Sequence, residues 1–147
     1  MTFEDLPPRA SEIPLTDAVV AGDVVDLIIG EADRANGCVG LMICDQRHRG
    51  IQPVVLHDVS EDPGADGLVG LLELVLPLVG ESRGSLLVAR GRPHGSVVDD
   101  IDRVWHQAAI DLCGAHGVRL LGFHVATGDG VFRLPDPLTS APEPAAS

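Results

Sequence analysis

The 147 residues include no lysine and no tyrosine; all ten basic residues are arginine, set against 22 acidic ones for a net charge of -12. A chain this acidic, with no polybasic segment, lacks what non-specific nucleic-acid binding needs, because that binding works by neutralising phosphates. The plain use of such a surface is solubility. Aromatic residues are scarce, three Phe and one Trp, so the core has to be aliphatic. Long apolar runs are missing too. The longest, LVGLLELVLPLVG at 68–80, is interrupted by Glu73 and Pro77 and is too short to span a bilayer. MTFEDLPPRASEIP at the start is acidic and Pro-rich, without the apolar core of a signal peptide. A cytoplasmic chain with no membrane partner is expected. Cys38, Cys44 and Cys113 are odd in number and have no CxxC spacing, which argues against a disulfide framework or a zinc ribbon. They read as small buried hydrophobes in a reducing compartment.

What is present reads as one α/β domain over 15–134, with a disordered leader over 1–14 and a disordered Pro/Ala-rich tail over 135–147. Thr16 can cap a helix carrying Asp17 in its first turn and Val20, Val24, Leu27 and Ile28 at helical spacing, ended by Asn36-Gly37. CVGLMIC (38–44) and IQPVVLHD (51–58) read as a hairpin, with Pro53 marking an edge or a bulge. A helix follows from Asp66 to Val79, kinked or ended by Pro77. SLLVAR (85–90) is a strand buried on both faces. Asp99 or Asp100 opens a helix running to Ala115, with Ile101, Trp105, Ala108, Leu112 and Ala115 on one face. VRLLGFHVA (118–126) and VFRL (131–134) are the last strands. This order predicts an α/β sandwich: a mixed sheet, an N-terminal hairpin at one side, and helices packed on it. GxGxxG and P-loop motifs are absent.

Candidate chemistry is thin. The six histidines show no HxH or HxxxH spacing, and zinc needs three or four converging ligands; His94 with Asp99 or Asp102 supplies two. Ser85 and Ser96 lack a nucleophile elbow. Cys113 and His116 are near enough on a helix to meet, but a reactive pair needs an accessible thiol of lowered pKa. The densest cluster is LLVARGRPHGSVVDDID (86–102), in which a strand runs into Arg90-Gly91-Arg92, a Pro93-His94-Gly95 turn and then an acidic helix start. Three readings are open for the arginines: both face solvent, both bind an anion at the helix start, or one of them pairs with Asp102.

In its place along the chain, this stretch resembles the RadC-type JAB (MPN-like) domain. That family shows a strand ending in a His-x-His-Pro loop, followed by a Ser and an Asp that begins a helix. LMICDQRHRGIQPVVL is similar to its first hairpin. HGVRLLGFHV with Gly128 is similar to its Gly-Ile-x-Leu-Leu-Asp-His-x-x-x-Gly stretch, with His124 at the His and Phe123 where Asp is expected. The resemblance covers about 15–134 and implies a JAB/MPN-like, cytidine deaminase-like sandwich. It also implies a zinc held by two histidines and an Asp, with an upstream Glu activating its water.

The departures bear on function. Arg90 and Arg92 fall where the two histidines belong, and Asp102 falls where the metal Asp belongs if one loop residue is deleted. Neither Glu61 nor Glu73 matches the activating Glu. Arginine is a permanent cation with no lone pair to give a metal. The expectation is therefore a non-catalytic domain with a degenerate site at Arg90, Arg92, His94 and Asp102, with no catalytic residues, metal or cofactor. It would act on an unidentified protein partner or a small anion, and a homodimer is open to it through an edge strand at 51–57 or 131–134. Two alternatives stand beside it. One is a metal-dependent hydrolase with ligands shifted to His94, Asp99 or Asp102, and His124. The other is an anion or nucleotide binder using Arg90 and Arg92.

Overall fold

The computed structural model describes residues 13–59 and 65–136. The leader and tail expected at the two ends lie outside them, apart from two residues each. The elements are α1 (Ala18–Ile28), α2 (Glu31–Asn36), β1 (Cys38–Cys44), β2 (Gly50–His57), α3 (Asp66–Glu81), β3 (Ser85–Gly91), α4 (Asp100–Ala115), β4 (Arg119–Thr127) and β5 (Gly130–Arg133). The five strands form one sheet in the order β2-β1-β3-β4-β5. Only β3 and β4 run parallel; the other neighbours are antiparallel. The parallel pair requires a long crossover, and α4 supplies it. The sheet is thus mixed, with an antiparallel hairpin at one side and β2 at its edge, where Pro53 interrupts no central ladder.

Alternation along the strands divides the core between two faces. Val39, Leu41, Leu86, Val88, Phe123 and Val125 pack beneath Leu68, Leu72, Leu76, Trp105 and Ala109 of α3 and α4. Cys38, Met42, Cys44, Leu87, Ala89 and Ala126 pack against Ala21, Val24 and Val25 of α1 and against Ile29. Every residue of β3 is buried, as a central strand covered on both faces must be. Among the described residues, no helix is long and apolar enough to cross a membrane.

Three local expectations change. The first helix is capped by Asp17, not Thr16: its carboxylate accepts from the N–H groups of Val19 and Val20 at 3.0 and 3.1 Å. That helix also stops at Ile28, because Ile29 and Gly30 are extended and α2 starts afresh. Arg34 of α2 reaches back across the break to the carbonyls of Ile29 and Asp26, at 2.9 and 3.0 Å. It thereby satisfies acceptors that an unbroken helix would have bonded internally. Secondly, Pro77 lies inside α3 and does not end it. Its ring sits on the exposed side, where the carbonyl left without a donor can turn to water. The helix ends at Glu81, and the chain turns away through Arg83 (φ 58°) and Gly84, where any side chain would collide with the Cys44 carbonyl.

Thirdly, the buried face of α4 is Asp102, Trp105, His106, Ala109 and Cys113. Of the predicted face only Trp105 is fully buried, and Ala115 is exposed. Apolar periodicity alone skipped Asp102 and His106, the two polar residues that fix the helix's rotation.

On the α1 face, β4 carries a buried ionisable group. His124 is 2% exposed, and its Nδ1 has no hydrogen-bond partner among the described residues. Burial, with Arg133 paired opposite it on β5, pushes its pKa down to about 4. The folded state therefore binds fewer protons than the unfolded chain between pH 6.5 and 4, so stability falls as pH drops through that window. The full effect is roughly 3 kcal/mol. Urea unfolding of wild type and His124→Leu at pH 7 and pH 4 should show a smaller acid loss in the variant. Parallel pH profiles would show that His124 does not titrate as its burial demands.

Candidate functional site

Beyond Val88, β3 carries the Arg-Gly-Arg sequence, and strand alternation sorts its side chains. Arg90 follows Leu86 and Val88 onto the α4 face. Gly91 points the other way, where a Cβ would collide with Cys38 Sγ and crowd Ile29 and Arg34. A glycine is required there by close packing, and the two arginines flank it on the helix side. Past the strand, Arg92 N–H donates to the Ala126 carbonyl at 3.0 Å, and Gly128 N–H donates to Pro93 at 2.9 Å. Gly95, at φ 105°, turns the loop back. Its N–H donates to Asp129 at 2.8 Å, and its carbonyl accepts from Thr127 Oγ1 at 2.7 Å. The loop after β3 is thus tied to the β4–β5 turn before it reaches α4.

Helix α4 begins with a capping box. The Asp99 carboxylate accepts from Asp102 N–H at 2.6 Å, and Asp102 Oδ2 accepts from Asp99 N–H at 3.0 Å. Asp102 is fully buried between the two arginines. Its Oδ1 accepts from Arg90 Nη1 at 2.6 Å and from Arg92 Nε at 3.2 Å; its Oδ2 accepts from Arg92 Nη2 at 2.8 Å. With the capping bond, that makes four donors on one carboxylate, about all that its lone pairs can take. Arg90 Nη1 also donates to Asp99 at 3.1 Å, and its guanidinium lies 5.0 Å from the Trp105 ring centre. Arg92 donates further to the carbonyls of His94 and Val97 and lies 5.8 Å from the Phe132 ring. Burial pushes the Asp99 carboxyl up, but the Asp102 N–H and the charges of Arg90 and Arg92 outweigh it and hold the group below its usual range.

The arginines therefore do not face solvent: Arg90 is 1% and Arg92 7% exposed. Both, not one, pair with Asp102. His94 is exposed and touches the centre through its backbone carbonyl. His124 cannot join this group, because it lies on the α1 face between Phe123 and Val125, which face α4. The shifted ligand set is thus not brought together. Glu73 is exposed on α3, and Glu61 lies outside the described residues. Sequence reasoning passed over Thr127 and Asp129, which hold the loop, and read Trp105 as core alone. Their one signal was the Thr-Gly-Asp-Gly turn following β4.

The resident metal implied by the family resemblance does not fit these residues. Two guanidinium groups stand 2.6 and 2.8 Å from the two oxygens of Asp102, and neither has a lone pair to offer a cation. Among the described residues, no three His, Cys, Asp or Glu side chains are placed to hold a metal ion.

The other candidates are dispersed. Ser85 is fully buried at the opposite end of β3, with Oγ 2.8 Å from His48 Nδ1. Burial pushes the Cys113 thiol up to about 12, so no reactive pair with His116 forms. The Cys38 and Cys44 thiols, also buried, are pushed up to about 11 and 12. A cleft of about 190 Å³ borders the centre between Gly37, Val59, Pro93 and Trp105. On the β5 side of α4, two clefts of about 330 and 290 Å³ flank His106, which stacks on Phe123 at 5.3 Å. No protein-family model, curated protein or solved structure matches the chain.

Among the described residues the centre holds two cations and two carboxylates, with Asp102 as their hub. Replacing Asp102 with Asn removes the buried carboxylate that both guanidinium groups grip, leaving half-exposed Asp99 as the other one among the described residues, and should cost about 3–5 kcal/mol in urea unfolding. Replacing all three buried ions together, Arg90→Met, Arg92→Leu and Asp102→Leu, should recover most of that loss. A loss below about 1 kcal/mol for Asp102→Asn would mean that water reaches the centre.

Proposed function

We propose that this chain is a divergent RadC-type JAB/MPN-like domain whose metal site has been replaced by an internal ion centre, and that it acts without catalysis. The observation carrying this reading is the Arg90–Asp102–Arg92 cluster, at the positions where the resemblance expects His, Asp and His. The family's zinc ligands become two cations, and its remaining carboxylate is saturated by them. The sheet order, the early hairpin and a helix starting beside the end of β3 are compatible with that fold. With no nucleophile or general base at the centre among the described residues, its role is to lock the loop and α4 in place. Function then rests on the surface, through contact with a protein or a small ligand.

The anion-binding alternative is the weaker one. A phosphate reaching Arg90 and Arg92 would have to displace Asp102 and two backbone carbonyls that already hold their N–H groups. A hydrolase with shifted ligands is weaker still, since His94 is exposed and His124 is on the other face.

Metal content tests the proposal. The protein purified without a His tag should carry far less than one zinc per chain, and its melt should be the same with and without a strong chelator. About one zinc per chain, with a chelator-sensitive melt, would overturn the degenerate-site reading.

A further inference from the structure

Helix α4 buries two aromatic rings from adjacent positions. Trp105 lies against the arginine centre, and His106 lies on the β5 side, between two clefts. His106 is 6% exposed and stacks on Phe123 at 5.3 Å. Yet neither of its ring nitrogens has a hydrogen-bond partner among the described residues. The side-chain atom that is sealed in without a partner, among those residues, is His124 Nδ1. The His106 nitrogens therefore keep an opening, and the clefts that flank the ring supply it. A buried polar group ordinarily finds its partner inside the fold. Without one, it carries the desolvation cost and makes no bond in return. An imidazole placed in this way is set for a partner that comes from outside the fold.

The larger cleft, of about 330 Å³, sets His106 among apolar walls of Val98, Leu134 and Pro135. Those side chains offer water no hydrogen bonds, and a well-held water needs two or more. Water at the ring is therefore poorly ordered, and an apolar body gains by displacing it. The charges at the rim are matched within the chain, Arg103 with Asp100 at 2.9 Å and Asp136 with Arg133 at 3.4 Å. Burial lowers the His106 pKa, and the charge of Asp136 does not reverse this. The ring is thus neutral at pH 7, with one donor and one acceptor. A hydroxyl, which both donates and accepts, is the group that matches it. We infer that this cleft binds a small uncharged phenol or alcohol, with its hydroxyl on the His106 ring and its apolar body between Val98, Leu134 and Pro135. The volume is at the lower end for ligand pockets, which limits the body to about one or two rings. The inference rests on the function proposed above only in placing activity outside the arginine centre. The cleft shares no residue with that centre, so binding here and zinc content there can fail separately.

Heteronuclear NMR of the isotopically labelled full chain at pH 7, with phenol as the probe, tests the inference. Phenol should shift the His106 ring signals and the backbone amides of Val98, Gln107 and Leu134, and the shifts should saturate. Benzene lacks the hydroxyl, and benzoate and benzylammonium carry charge; each should bind about tenfold or more weakly. His106→Phe keeps a ring on Phe123 but loses both nitrogens, and should weaken phenol binding about tenfold. Val98→Trp leaves His106 in place and narrows the cleft, and should abolish saturation. Absence of saturable shifts in wild type, as when a protein segment already fills the cleft, would overturn the inference. So would benzene or either ion binding as tightly as phenol, shifts centred away from His106, or undiminished binding to folded His106→Phe or Val98→Trp protein. The comparison of the four probes on wild type decides the matter even where a variant does not fold.

Discussion

A carboxylate that no water touches, gripped by two guanidinium groups, is the contact on which this end of the molecule is built. Removing three ions from water is expensive, and their attraction repays that only when the remaining donors and acceptors are also satisfied. The surrounding architecture meets this condition. Asp102 takes a fourth bond from the helix start, Arg92 spends two N–H groups on loop carbonyls, and Arg90 lies against the Trp105 ring. Gly91 lets both arginines reach the same side while the strand stays tight against Cys38. The loop's ties to Thr127 and Asp129 hold the Arg92 acceptors where they are needed. Disturbing any one of these leaves a buried polar group without its partner.

Asp102 and His124, buried on opposite faces of the sheet, are handled in opposite ways. Under α4, charge is kept and matched, cation against anion, with the positive end of the helix favouring the acidic pair at its start. Under α1, His124 has no such partner and remains neutral, because protonating it in that setting is too costly. The interior under α4 thus holds a tethered cluster of ions, and the α1 face is an aliphatic layer with an uncharged imidazole and, at its edge, Arg34 paired with Asp26.

Much of the frame could be read from the sequence, and the reasons are local. The β1 run, CVGLMIC, matches its strand to the residue because it is apolar and bounded by a glycine and an aspartate. The start of α4 was legible because two aspartates after a Pro-Gly turn have a strong preference for helix N-termini. What failed depended on partners distant in sequence. The break between α1 and α2 is stabilised by Arg34 reaching Thr127 as well as Ile29, and no window of a dozen residues contains both. The rotation of α4 was misread because a buried Asp and a buried His look like surface residues until their partners are known. For the arginines, water, an anion and a pair with Asp102 all stayed open in the sequence, and it takes the sheet and helix together to show both enclosed against that carboxylate.

Helix α4 is not held equally along its length. Its first turn is bonded through Asp99 and Asp102 to two arginines on the neighbouring strand and loop, while farther along, His106 and Cys113 border shallow clefts on the β5 side. Bonds of that kind fix position and rotation together. Beyond that turn Ala109 and Cys113 lie in the core, where apolar contact is non-directional and sets the helix's height above the sheet more than its rotation. The acidic end is thus the key that orients α4, and the apolar remainder is the bed on which it rests.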